Sequence, residues 1–341
     1  METQKPWSAP GALVAADAEL DGELGLPVLP SASIDSAYLR RMQRRAALLT
    51  VLVPTAGTLL ALLTIPVYGV RSVDIALLVA LHLATMLGIT VGYHRLLAHR
   101  AFRVGTPLRV VLSVLGAMAA QGPPIHWVSN HRRHHQLSDV PGDMHSPHAP
   151  HTGLQGFWHA HIGWMFTADP TNPARYSRDL LQDPVVRTVN RLYAVWVALG
   201  LLLPAVIGGC AGQGGLRGAV LGLLWGGLVR IFTVHHATWS INSITHLVGR
   251  RPYATSDRST NVAWLAIPSA GESWHNGHHA FPSSARFGLE WWQIDLGWWL
   301  IGSLRVLGLA RDVHTPSPDV RMRRSANGSQ NGISNDTLND T

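Results

Sequence analysis

His131-Arg132-Arg133-His134-His135 decides how this chain is read. On a helix, positions i, i+3 and i+4 lie on one face about a turn apart, so the pentapeptide offers three imidazoles to one metal site. A second run, His275-Asn276-Gly277-His278-His279, repeats the spacing about 140 residues later. A third cluster, His94-Arg95-Leu96-Leu97-Ala98-His99, stands where a long apolar stretch ends. One triplet is a weak signal, but three clusters set between membrane-length apolar stretches form a strong one. The i, i+5 spacing of His94 and His99 puts them about 140° apart on an ideal α-helix. That suits either two different metals or a helix that unwinds between them.

The 341 residues show no internal repeat and no low-complexity linker in the middle, and they read as one unit. Apolar residues make up 47% and charged residues 14%, with the apolar ones gathered into runs, which is the composition of a membrane protein and not of a soluble globule. The net charge is +7, yet the arginines flank apolar runs and form no basic stripe interleaved with aromatics, so nucleic acid is not an expected partner. Cys210 is the single cysteine, which excludes an intrachain disulfide, a Cys-ligated iron–sulfur cluster and a CxxC zinc site. Any metal must be held by imidazole. The eight histidines of the three clusters exceed the four positions of a tetrahedral site, so two metals sharing a cavity is the economical count. Neutral imidazole serves Fe, Zn, Cu and Ni alike, and ligand type does not name the metal.

The expected fold is an all-α integral membrane protein with four transmembrane helices, about 46–67, 73–93, 192–209 and 216–234, arranged in two hairpins. A cytoplasmic helical domain would carry the histidine-ligated di-metal site. Residues 1–39 read as a disordered cytoplasmic tail, 40–311 as the membrane domain and 312–341 as a disordered C-terminal tail. Arg40, Arg41, Arg44 and Arg45 at the edge of the first span predict a cytoplasmic N-terminus, and four spans then put both termini and all three clusters in the cytoplasm. Thr106 to Ala120 is apolar but too short to span, which predicts an interfacial or core helix. The Gly-rich stretch Gly208–Gly215 is read as the turn of the second hairpin, with Arg217 and Arg230 near its ends, where long side chains snorkel. Trp291, Trp292, Trp298 and Trp299 read as an interfacial aromatic group.

Three stretches carry a family resemblance. Gly-Ile-Thr-Val-Gly-Tyr-His-Arg-Leu-Leu-Ala-His (88–99), His-Arg-Arg-His-His (131–135) and Gly-Glu-Ser-Trp-His-Asn-Gly-His-His-Ala-Phe-Pro (271–282) resemble the three histidine boxes of the membrane fatty acyl desaturases. Thr-Trp-Ser-Ile-Asn-Ser-Ile-Thr-His (238–246) resembles that family's fourth metal element. The resemblance runs in order over about residues 40–310, and the run 121–127 is similar to the bacterial and cyanobacterial Δ9 enzymes. It implies two Fe in a non-haem di-iron centre, held by His94, His99, His131, His134, His135, His246, His275, His278 and His279, with Asn242 acting through water. It also implies an O2-dependent fatty acyl desaturase that inserts a cis double bond, with no side chain acting as catalytic acid or base. Gln121 and Trp127 match positions at the bend of the acyl tunnel, and Thr238 and Trp239 match others beside the substrate. Where animal acyl-CoA desaturases carry an asparagine after the matching glutamine and an Arg-Asp pair before the second box, this chain has Gly122, Ser129 and Asn130. The implied partners are a long-chain acyl substrate, as acyl-CoA or acyl-lipid, the lipid bilayer, and a separate electron donor with its reductase. That donor would be a ferredoxin or a cytochrome b5-like protein, since neither terminus reads as a haem-binding domain.

The alternatives are hydroxylation or acetylenation on the same scaffold, and, from another class, a non-enzymatic membrane metal carrier. His126, His145, His148, His151, His159, His161, His235, His236 and His314 read as core or surface residues, and His82 as a hydrogen-bonded packing residue inside a span. Arg132 and Arg133 suit either phosphate or CoA, or a solvated or lipid-facing surface. Glu272 suits either an outer acceptor that orients His275 or a helix N-terminal carboxylate.

Overall fold

The computed structural model describes residues 30–148, 150–212 and 214–326. Its architecture rests on α1 (Ala37–Tyr68), α2 (Ser72–Ala98), α3 (Thr106–Met118), α4 (Pro124–Leu137), α5 (Tyr193–Cys210), α6 (Gly215–His246), α7 (His275–Ala280) and α8 (Leu296–Val306). Among the described residues four helices, α1, α2, α5 and α6, are long and apolar enough to cross a membrane. The apolar windows of α1 and α5 are 17% buried within the protein and that of α6 is 67% buried, so α6 is the central helix and the other two face outward.

The ends of these helices follow from local chemistry. Ser36 accepts from Leu39 N–H to start α1, and Gly69, at φ 64°, ends it in the left-handed conformation that glycine tolerates. At the start of α2 the buried Asp74 accepts from the Arg71 backbone and side chain, while the same guanidinium donates to the carbonyls of Gly208 and Gly218. The turn into α2 is thereby tied to α5 and α6. Gly208 is a residue of α5 and not of a turn; a Cβ there would stand 2.5 Å from Gly218 O and 2.9 Å from Gly222 Cα. Gly208 thus brings two helices together, and the turn is confined to the residues between Cys210 and Gly215.

Arg230 departs from its expected place near a span end. It is fully buried within α6, and its guanidinium donates to Gly226 O, Met118 O and Gly200 O at 3.2, 2.6 and 2.8 Å. Bending carbonyls toward the cation replaces water, and this holds α3, α5 and α6 together. α3, the short apolar helix, packs as a core element against α2 and α5. His82 on α2 makes the hydrogen-bonded contacts expected of it, Nδ1 to Thr233 Oγ1 and Nε2 to Pro268 O, each 3.0 Å.

Contacts continue on both sides of the 40–311 stretch. Ile34 N–H donates to Pro170 O, His314 N–H to Ala101 O, and Ala254 N–H to Arg324 O. Polar composition hides such segments, because their order comes from backbone pairing and not from apolar burial. The tails expected over 1–39 and 312–341 fall partly on residues 1–29 and 327–341, which lie outside the described residues. Of the tryptophans, Trp291, Trp292 and Trp299 are exposed, whereas Trp298 packs partly into the core.

Gly88 sets the closest approach of α2 to α3: a Cβ there would lie 2.2 Å from Gly116 N and 2.4 Å from Leu115 C. Gly88→Ala should therefore cost about 1–3 kcal/mol through overpacking. Gly302→Ala, which meets open space on α8, should be neutral or stabilising by up to about 1 kcal/mol. Thermal unfolding in detergent measures both, and a Gly88→Ala protein melting with the native one would contradict the close packing.

Candidate metal centre

Four helices supply the histidines, and each has a local reason for where it points them. Residues 88–98 of α2 form a π-helix, and His99 N–H donates to His94 O at 3.0 Å, the i+5 to i bond of that wider helix. Widening, and not unwinding, brings His94 and His99 onto one side, so both join one group. α4 presents His131, His134 and His135, α7 presents His275, His278 and His279, and His246 ends α6.

These nine residues come together in two groups. In one, ring nitrogens of His94, His99, His131, His135 and His278 lie within 4.8 Å of one another; in the other, those of His134, His246, His275 and His279 do. His278 Nε2 stands 3.0 Å from His94 Nε2 and 2.8 Å from His135 Nε2, while His99 and His131 meet at 2.7 Å and His246 and His275 at 3.1 Å through the same atoms. The groups adjoin: the His135 and His279 rings stack at 4.5 Å. Asn242 is half-buried on α6, four residues before His246.

An outer layer of carboxylates fixes four of the rings. Glu272 Oε2 receives His94 Nδ1–H at 2.5 Å, Asp139 receives His246 at 2.8 Å, Asp257 receives His279 at 2.7 Å, and Asp143 receives His134 at 3.1 Å. Each bond puts the proton on Nδ1 and leaves the Nε2 lone pair aimed inward, the usual tuning of an imidazole ligand. Glu272 therefore orients His94, and also binds Thr90, in place of the expected His275. It comes from the third box to steady a ring of the first.

The sequence reading missed the three aspartates. Asp139 and Asp143 lie in a polar turn just after the second box and had that much signal; Asp257 lies in a loop 22 residues before its histidine and had none. Two histidines read as ordinary also belong here. His145 packs 4.3 Å from the His134 ring, and His148 Nε2 donates to His246 O.

Arg132 and Arg133 serve neither of their expected roles, for both are buried. Arg132 donates to Leu97 O, Ala98 O and Tyr176 O and pairs with Asp179, so it caps the carbonyls at the end of the π-helix. Arg133 reaches Asp169 O and Gly142 O.

Burial first, then the neighbouring imidazoles, pushes His99, His131, His135, His275 and His278 well below the ordinary histidine range, so these rings are neutral. His145 is pushed down to about 3 by burial and then by His134. His134 is raised: burial opposes its charge, but Asp143, together with Asp139 and Asp257, overcomes it. Burial would raise Asp139, Asp143 and Asp257, yet their histidine partners hold all three well below the usual carboxylate range.

The residues fit metal ions. The Nε2 atoms of His134 and His279 are buried with no hydrogen-bond partner, although Nδ1 of each is held by a carboxylate. Lone pairs gathered this closely repel unless cations stand among them, and the all-nitrogen donor set suits a borderline transition metal.

Beside the first group runs a wall in which Trp127 stacks on His131 at 5.1 Å and donates from Nε1 to Gln121 Oε1, while Gln121 Nε2 donates to Thr238 Oγ1 at 2.8 Å. The structure thus brings Gln121, Trp127 and Thr238 together. Trp239, the next residue of α6, is buried against His235 and His236.

Comparison with known proteins shows what the chain is similar to. The fatty acid desaturase family model matches residues 74–306. The chain is 46% identical over 293 residues to hex-5-enoyl-[acyl-carrier protein] acetylenase of Moorena producens (strain JHB), covering 84% of this chain and 91% of that one. It is 43% identical over 230 residues to sn-1 stearoyl-lipid 9-desaturase of Anabaena variabilis, covering 67% and 78%. It is 37% identical over 246 residues to icosanoyl-CoA 5-desaturase of Limnanthes douglasii, covering 71% and 65%.

Because Asp257 and Asp139 reach the centre through His279 and His246, Asp257→Asn and Asp139→Asn should each weaken metal retention by about 10–100-fold while the protein still folds. Metal content after dialysis against a graded chelator measures this. Retention equal to the native protein's would contradict the orienting role.

Proposed function

The chain belongs to the fatty acid desaturase family, whose members are oxidoreductases acting on acyl chains, and we propose that it is an O2-dependent desaturase inserting a cis double bond, at the Δ9 position, into a saturated acyl chain. The observation that carries this reading is the convergence of the nine histidines into a group of five and a group of four beside the Trp127–Gln121–Thr238 wall. In it, His94, His99, His131, His135 and His278 would hold one iron, and His134, His246, His275 and His279 the other, with Asn242 acting through water. Iron bound there would supply the redox chemistry for O2 reduction and for removal of hydrogen from two adjacent methylenes. The balance is one dioxygen, two chain hydrogens, two protons and two electrons giving one alkene and two waters.

The chain's own residues do the rest. The Gln121–Thr238 pair satisfies both polar groups inside an apolar wall and bends the acyl chain there. Trp127, stacked on His131, sets the distance between that bend and the first group. Asp139, Asp143, Asp257 and Glu272 hold proton positions on the outer ring nitrogens. At the positions where an animal acyl-CoA enzyme offers an Arg-Asp pair, Ser129 bonds Ser177 and Asn130 bonds His126. Neither offers a cation to a CoA phosphate, which favours a lipid-esterified or carrier-protein-bound chain. Acetylenation is the second reading, and the similarity to the Moorena acetylenase favours it.

The proposed topology is two transmembrane hairpins, α1–α2 and α5–α6, with both termini and the metal centre cytoplasmic. Contacts from three residues support it. Arg44 and Gln43, in the arginine-rich end of α1, donate to carbonyls of residues 165–168, and Arg40 pairs with Asp169, next to the layer that holds the histidines. The basic edge and the metal centre thus share one side, the cytoplasmic one by the distribution of positive charge. Residues 40–311 form the membrane desaturase domain, and two electrons per turnover come from a ferredoxin or cytochrome b5-like protein with its reductase.

Expressed in a host lacking its own Δ9 desaturase, the native chain should yield monounsaturated fatty acids, and His278→Ala none, by methyl-ester analysis with double-bond location. Acetylenic or hydroxylated products would replace the proposal with one of its alternatives. Purified protein with NADPH should not turn over until a donor and reductase are added; turnover without them would contradict the separate donor.

A further inference from the structure

We propose that residues 263–270 form a re-entrant membrane segment that dips into the bilayer beside α2 and α6 and presents Trp264 and Ile267 to lipid acyl chains. The inference rests on α2 and α6 being membrane spans, and not on the reaction. The level of the loop is set by its contact with α2, and α6 meets it at the same point. His82 lies 12 residues before His94 on α2, about 18 Å along a helix, and Thr233 lies 13 residues before His246 on α6, about 20 Å. His82 touches Thr233 and donates from Nε2 to Pro268 O at 3.0 Å, so both helices meet the loop at one level, inside the apolar stretch of α2 and near the end of that of α6.

The loop has the properties that this depth demands. No side chain from 259 to 271 is charged. Irregular backbone survives at membrane depth only where its polar groups are satisfied by protein. Here Ala266, Ser269, Ala270 and Gly271 N–H donate to Ala263, Leu265, Ile267 and Ala266 carbonyls. Pro268 has no N–H, and His82 takes its carbonyl. Leu265 and Ala266 face inward at 4% and 2% exposure, whereas Trp264 and Ile267 face outward at 68% and 58%. In water those two side chains would be an unshielded apolar patch; at this level along the spans they meet hydrocarbon. The segment ends at Gly271, next to Glu272, which steadies His94. His82 is thus a positioning residue that ties the third histidine box to the bilayer.

The test uses the full chain with Cys210→Ser, reconstituted in phosphatidylcholine vesicles and exposed on both faces to a charged thiol reagent. Three single-cysteine variants are compared: Ile267→Cys, Leu63→Cys on the outward face of α1 and Ser256→Cys on an exposed loop. Ile267→Cys should react at least about tenfold more slowly than Ser256→Cys, because a charged reagent enters hydrocarbon at high cost. It should match Leu63→Cys, and a bimane attached at 267 should be quenched by lipids brominated at mid-chain. Reaction as fast as Ser256→Cys, without quenching and with Leu63→Cys protected, would overturn the re-entrant segment alone; fast reaction of Leu63→Cys as well would overturn the spans on which it rests. Trp264→Cys repeats the measurement should Ile267→Cys fail to accumulate.

Discussion

Nine imidazoles crowd one largely buried volume, and they can do so only while few of them carry charge and each points one way. Two protonated rings about 4 Å apart would repel by about 4 kcal/mol at an effective dielectric of 20. Burial removes that charge from most of the rings, and four carboxylates fix which nitrogen of four rings carries the proton. The result is a set of inward lone pairs with little freedom to turn away, which is what a metal centre asks of its protein.

Much of the remaining structure serves that constraint. The π-helical end of α2 rotates His99 to the side of His94, and Arg132 caps the carbonyls that this end leaves unpaired. Arg95, buried against Asp295 and over the Phe287 ring, locks the same helix to the segment after the third box. Arg230 anchors α6, whose last residue is His246, by holding three carbonyls from α3, α5 and α6 itself. Each of these is a buried cation with oxygen acceptors beside it, and each sits on a helix that carries a histidine of the centre.

The histidine clusters and the four long apolar helices were legible in the sequence, because period and hydropathy are local properties. The outer shell was not. Asp257 is brought to His279 by tertiary folding alone, and nothing at its own position announces a partner. Arg132 and Arg133 look like a basic surface in the sequence, since burial of a paired guanidinium leaves no local mark. Gly208 reads as a turn residue because glycine is used both for turns and for helices in close contact, and only the neighbouring helix distinguishes them. The i, i+5 histidines were ambiguous on an α-helical wheel, and a π-helix resolves them.

The division into five and four histidines is tested most directly by counting metal. Purified native protein, analysed by elemental mass spectrometry against amino-acid analysis, should hold two iron ions per chain. His275→Ala, which touches only the group of four, should hold one. One metal per native chain, or loss of both ions in a folded His275→Ala protein, would contradict two separate positions.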